Sequence, residues 1–175
     1  MAFELEFNVV GEEQLQRSFS RFGEDVEDAS EAFREIAKDF REKLMPAQFN
    51  TQGSHGGSGW PPLSPNYAAW KAKNYPGAPI LVRSGLLRES LEKNNAYSIV
   101  DIQPKSMNIG SRVNYAIFHQ QGTRKLPQRK IIQLSEEDKT RWTKIVHVWL
   151  LNRANKEFAG IAQVESAASA HISNI

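Results

Sequence analysis

The 175-residue chain contains no cysteine, which excludes disulfide frameworks, thiol nucleophiles and cysteine-based zinc sites together. No stretch approaches the roughly 18–20 apolar residues of a membrane-spanning helix. The opening Met1-Ala2-Phe3-Glu4-Leu5-Glu6 has no basic region followed by an apolar run, so no secretory signal is expected. On these grounds the chain reads as soluble, made in the cytoplasm and without membrane contact. None of the four histidines, His55, His119, His147 and His171, lies three or four residues from another, so the helical spacing of a metal pair is missing. There is no serine elbow and no dinucleotide fingerprint. The glycine-rich stretch 50–65 has no strand before it and no Gly-Lys-Ser/Thr after it, so it reads as a mobile surface loop and not as a phosphate cradle. Carboxylates are scarce through the middle of the chain. Residues 46–135 hold Glu89, Glu92 and Asp101 alone, and the first two sit beside Arg88 and Lys93 as ordinary surface charge. His119 reads as a hydrogen-bonded structural histidine, and His55 lies in the mobile loop. Absence of a motif does not exclude an enzyme, but it leaves that hypothesis without a residue to stand on.

What the chain does have is a divided charge. The total of 22 basic and 20 acidic side chains conceals 6 against 12 in residues 1–45, 11 against 3 in residues 46–135, and 5 against 5 in residues 136–175. An acidic arm beside a basic body is a pattern of assembly and nucleic-acid-facing proteins. Residues 3–9 alternate Phe3, Leu5, Phe7 and Val9 with Glu4, Glu6 and Asn8, the period of a half-buried strand. From Leu15 to Leu44 the apolar positions recur at gaps of three and four, one stripe of a long helix or of two helices kinked at Gly23. Met45-Pro46 is expected to stop it.

Ser64-Pro65 is a helix start for a segment bearing Tyr67, Trp70 and Lys71, and Ser84 is placed to cap another with Leu86, Leu87 and Leu91. Tyr97–Gln103 and Ser106–Gly110 form a hairpin about Pro104-Lys105. Residues 113–121 read as a short helix or turn closed by Gly122 in the left-handed conformation. Ser135 and Asp138 resemble a capping box, opening a helix on which Trp142, Ile145, Val146, Trp149 and Leu150 share a face. Residues 159–175 read as a frayed helix or a flexible tail. The fold class is therefore α+β: an N-terminal strand and long helices, a small antiparallel sheet and a C-terminal helix. A single domain is expected over 1–175, with an acidic arm at 1–45 and a body and helix at 46–158.

The cations are best organised where Arg112 precedes Arg124, Lys125, Arg129 and Lys130. Without acids in reach they set up a positive field suited to phosphate or to an acidic protein face. Pro127 breaks the segment, so it cannot lie as a continuous helix in a major groove. Phosphate contact without base reading, or a protein seam, fits the pattern better.

The succession Trp60-Pro-Pro-Leu63-Ser-Pro-x-Tyr67, Lys71, Ile80-Leu81-x-x-Ser-Gly85-x-Leu-Arg-x-Ser90-Leu91, Ile109-Gly110, Tyr115-Ala116-x-x-His119-Gln-x-Gly122 and Pro127-x-Arg129 resembles the virion morphogenesis family of Mu-like tailed bacteriophages and prophages, the tail-completion or neck proteins. The resemblance spans about residues 55–140. Where the family usually places a small residue between the last proline and arginine, this chain has Gln128. The resemblance implies an α+β structural protein of the virion neck or upper tail, without catalytic activity or cofactor. It would assemble as a homo-oligomeric ring, a hexamer being one candidate, against neighbouring neck, tail-terminator or connector proteins and close to the genome DNA. Trp60, Tyr67, Gly85, Tyr115, His119 and Gly122 are its structural residues, the aromatics expected mostly in the core. Arg112, Arg124, Lys125, Arg129 and Lys130 are candidates for subunit seams or a DNA channel. Arg129 is a candidate to pair with an acidic neighbour across a subunit interface, because a guanidinium fork holds a carboxylate in fixed geometry. The rival readings are a nucleic-acid-binding module using residues 112–130 and a virion-borne cell-wall hydrolase depending on His119.

Overall fold

The computed structural model describes the backbone of residues 28–172, and the side chains of that stretch through Arg153 together with Asn155. The alternating segment 3–9, Gly23 and the first half of the apolar stripe lie outside the described residues. Ala29 leads into α1 (Ser30–Asp39), whose Ala32, Ile36 and Ala37 are buried, as the three-and-four spacing of the stripe requires. Phe40–Leu44 then forms a π-helical turn, in which the Met45 N–H reaches back five residues to the Phe40 carbonyl. The helix does not stop at Met45-Pro46. It continues as α2 (Met45–Asn50) with Pro46 in the first turn. The wide turn supplies the reason: where bonding passes from the five-residue to the four-residue pattern, a missing N–H and a bulky ring are tolerated.

Two short helices follow, α3 (Pro65–Asn74) and α4 (Leu86–Glu92). Strands β1 (Ser98–Gln103) and β2 (Ser106–Ser111) pair antiparallel, from Ser98 opposite Ser111 to Gln103 opposite Ser106. Pro104-Lys105 is the two-residue turn, as expected. The start of α1 is tied to that turn, since the Ala29 N–H donates to the Pro104 carbonyl at 2.8 Å. Helix α5 (Ala116–Gln121) leads through an irregular segment to α6 (Glu136–Ile172), whose backbone stays helical through most of the stretch expected to fray. The architecture is α+β.

The core gathers Phe40, Leu44, Met45 and Phe49 from the first helical run, Leu87 and Leu91 from α4, Ile109 from β2, and Trp142, Val146 and Trp149 from α6. The capping box forms as expected. The Asp138 N–H donates to Ser135 Oγ at 3.1 Å, while the Ser135 N–H donates to Asp138 Oδ2 at 2.9 Å.

Asp138 is also the centre of a buried ionic network. His55 Nε2 lies 2.8 Å from its Oδ2, and Arg141 bonds its Oδ1. Arg141 Nε also reaches both oxygens of Asp39, at 2.8 and 2.9 Å, and Trp142 Nε1 donates to Asp39 Oδ2 at 2.8 Å. The loop after α2 is tied down at His55 and at Gly56, whose N–H donates to Gln48 Oε1 at 3.1 Å, while Ser54, Gly57 and Ser58 are exposed. A Cβ on Gly56 would lie 2.4 Å from the Gln133 carbonyl oxygen, a contact that glycine alone permits. Among the described residues no helix is long and apolar enough to cross a membrane.

Candidate functional site: a cationic cleft

A cleft of about 670 Å³ opens between α3, the segment leading into α4, α5 and the turn that follows it. Its wall on α3 starts with Ser64 in an extended conformation, φ −60° and ψ 146°, and Pro65 at the first helical position, where its fixed φ suits the helix and its missing N–H costs nothing. The Ser64 side chain makes no capping bond, although its carbonyl accepts the Ala68 N–H at 2.8 Å. Tyr67 and Lys71, one turn apart, both line the cleft.

Lys71 is only 4 % exposed, and its ammonium donates to the Pro79 carbonyl. Burial lowers its pKa. The turn that leads toward α4, closed by the Val82 N–H on the Pro79 carbonyl at 3.1 Å, carries Leu81 at φ +62°, a left-handed conformation that a bulky side chain adopts only where its surroundings enforce it. Gly85 stands at φ +84° as the residue that caps α4, taking the position expected for Ser84, whose Oγ is 3.4 Å from the Leu86 N–H. No atom lies within 4 Å of where a Gly85 Cβ would be, so the glycine serves the turn and not close packing.

On α5, Tyr115 and His119 stack edge to face with centroids 6.2 Å apart. Burial lowers the His119 pKa, helped by the charge of Arg129, so the ring stays neutral through most of the physiological range. Its Nδ1 is buried without a hydrogen-bond partner among the described residues. Burial raises the Tyr115 pKa, and the nearby Arg83 guanidinium pulls the other way.

Gly122 ends α5 at φ +75° and ψ 169°, a positive-φ but extended conformation and not the left-handed helical one expected. A Cβ there would lie 3.0 Å from the Gln128 amide nitrogen. Thr123 and Leu126 exchange backbone bonds at 2.8 and 3.2 Å, closing a tight turn. Gln120 pins the returning chain, its Oε1 accepting the Ile131 N–H at 2.7 Å and the Ile132 N–H at 3.1 Å.

Arg129 is 4 % exposed, and among the described residues it forms no ion pair within its own chain. Its Nε donates to the Pro61 carbonyl at 2.9 Å and its Nη2 to the Pro62 carbonyl at 2.8 Å. Two consecutive prolines offer carbonyls with no competing N–H groups, and the guanidinium fork spans both. Trp60, just before them, is buried, with its Nε1 donating to the Lys130 carbonyl at 2.8 Å.

The cleft thus unites Lys125 and Arg129 with Tyr67, Gly85, Tyr115 and His119, and adds Lys71 and Arg83, which were not among the sequence candidates. Lys71 was visible as a motif position without a role. Arg83 had no local signal at all. Arg112, Arg124 and Lys130 are exposed but do not line it, so the basic stretch 112–130 is not one face. Of the aromatics expected in the core, Trp60 is there. Tyr67, Trp70 and Tyr115 are 40 %, 44 % and 38 % exposed, with Tyr67 and Trp70 stacked at 5.5 Å.

Among the described residues, four cations line the cleft and no carboxylate does. Arg83 and Lys125 form no ion pair among the described residues. Such a wall holds anionic groups through charge-assisted bonds and offers tyrosine rings for apolar contact.

No curated protein and no solved structure matches the chain. The sequence model of the phage virion morphogenesis family, however, matches residues 10–151, a span that takes in every residue of the cleft and extends beyond the motifs on either side. The chain belongs to the phage virion morphogenesis family.

Proposed function

We propose that the protein is a non-catalytic structural component of the phage neck or upper tail, whose copies close into a ring that completes the tail and joins it to the head. Family membership supplies the assembly role in the virion. The observation that carries the finer reading is the cleft itself, in which motif residues remote in sequence meet as a cationic groove between exposed aromatics. Aromatic and arginine side chains around a recessed pocket are the composition of a protein seam. A ring needs such a seam, because heterologous contacts close when their rotation divides a full turn. Arg112, Arg124 and Lys130, exposed outside the cleft, belong in this reading to other seams or to a lumen that lowers repulsion along the DNA path.

The decisive experiment is a particle preparation in which the gene is disrupted. Tails that fail to complete or to stay joined to heads are expected, with the protein found at the neck of wild-type particles by imaging. Stable, fully joined tails without it would overturn the proposal.

A further inference from the structure

Among the described residues the cleft is lined by Lys71, Arg83, Lys125 and Arg129 and by no acid, and the same chain carries the complementary charge. Residues 1–27 contain seven acidic side chains, Glu4, Glu6, Glu12, Glu13, Glu24, Asp25 and Glu27, against Arg17 and Arg21. The point where that stretch joins the body is fixed, because Ala29 is bonded to Pro104 at the turn of the hairpin. The cleft lies toward the other end. Ser111 closes β2 against Ser90 of α4, and the chain then runs four residues to Tyr115 in the cleft wall. Strands of six residues separate the two ends by roughly 17–20 Å. One chain therefore presents an acidic segment leaving one end of the hairpin and a cationic recess near the other. A heterologous, head-to-tail contact requires two different complementary surfaces on each copy.

We infer that the cleft receives the acidic stretch 1–27 of a second copy of this chain, its carboxylates meeting Arg83 and Lys125 at the mouth and the charge of Lys71 and Arg129 behind them. The inference rests on the assembly reading above and names the partner of its seam. Arg83 and Lys125 are exposed and available for direct pairing, while Lys71 and Arg129 are held by carbonyls and act through their field.

The absence of native cysteine allows a clean test in the full-length protein. One preparation carries Ser64→Cys at the cleft, and others carry a single cysteine at Asn8, Gln14 or Ser20. Mixed pairs are treated with a short bis-maleimide. A heterodimer is expected from at least one pair, reduced tenfold or more by Arg83→Glu with Lys125→Glu in the Ser64→Cys copy. It should be restored when Glu24, Asp25 and Glu27 of the other copy are changed to Lys. The inference is overturned if no pair yields heterodimer, if the yield ignores the charge reversals, or if only a chain carrying both cysteines reacts, within itself. It is equally overturned if the reversals abolish binding of duplex DNA while leaving no heterodimer to lose. Particle genetics keeps the two proposals apart: incomplete tails without the protein, together with no heterodimer, would retain the neck role and remove this seam.

Discussion

Two buried cationic centres in this protein are neutralised in different ways. Arg141 lies between Asp39 and Asp138, and its charge is cancelled by carboxylates. Arg129 and Lys71 also donate hydrogen bonds, but to the carbonyls of Pro61, Pro62 and Pro79. A carbonyl satisfies a donor without removing its charge. The first centre is therefore closed and structural, whereas the second leaves a net positive field at a cleft open to a partner. Hydrogen-bond satisfaction and charge compensation are separate properties, and the difference between them marks where a partner is to be received.

Replacing the cation at each centre tests this contrast most severely. Arg141→Met leaves Asp39 without its main partner and the fully buried Asp138 without its only arginine contact among the described residues, and should destabilise by about 3 kcal/mol or more. Chemical denaturation at neutral pH measures it. Arg129→Met leaves only carbonyls unpaired and should cost about 1–3 kcal/mol. It should also weaken salt-sensitive association of the folded protein, which Arg141→Met should leave intact once corrected for unfolding. Equal stability losses, or equal effects on association, would break the comparison.

Removing the Ser135 side chain should have a smaller effect. Ser135→Ala deletes one arm of the capping box and should cost about 1 kcal/mol, read as a shift in the urea midpoint.

Acid provides a graded version of the same test. Burial alone would raise the Asp39 carboxyl, but bonds from Arg141, Trp142 and Lys43 outweigh it and hold its pKa below the usual value. Asp138 behaves alike, burial being offset by Ser135, Arg141 and His55. A lowered carboxylate pKa contributes stability above the unfolded value of about 4, and that stability is lost as pH falls through the folded value. His119 is lowered by burial and by Arg129, so its unfolded form takes the proton first. Its contribution is full above about pH 6.5 and declines as pH falls below that. Stability should thus fall in two steps between pH 8 and pH 3. His119→Gln should remove the upper step and leave the lower one, as followed by unfolding midpoints across pH.

The legible features were those whose partners are close in sequence. Ser135 and Asp138 are three residues apart, Pro104-Lys105 is flanked by the strands it joins, and the face bearing Trp142, Val146 and Trp149 repeats with the helix. Even so, local rules misjudged Pro46, because a proline's effect depends on whether the turn before it widens, and Phe40–Leu44 does. The loop after α2 looked mobile from its glycines, yet Gly56 is there so that the backbone can approach Gln133. Tyr67, Tyr115 and His119 were recognisable as motif residues, but nothing in their spacing announced a shared cleft.

By itself, the sequence determined the α+β class, the hairpin, the capping of the last helix and the uneven distribution of charge, since each follows from neighbours a few residues apart. Only the tertiary structure decided that Arg129 faces prolines 67 and 68 positions away and Arg141 an aspartate 102 positions away. Those pairings turn one cation into part of a receptive surface and the other into a closed strut. The physical reason is that a charge's effect depends on what surrounds it in space, and folding chooses those surroundings from distant parts of the chain.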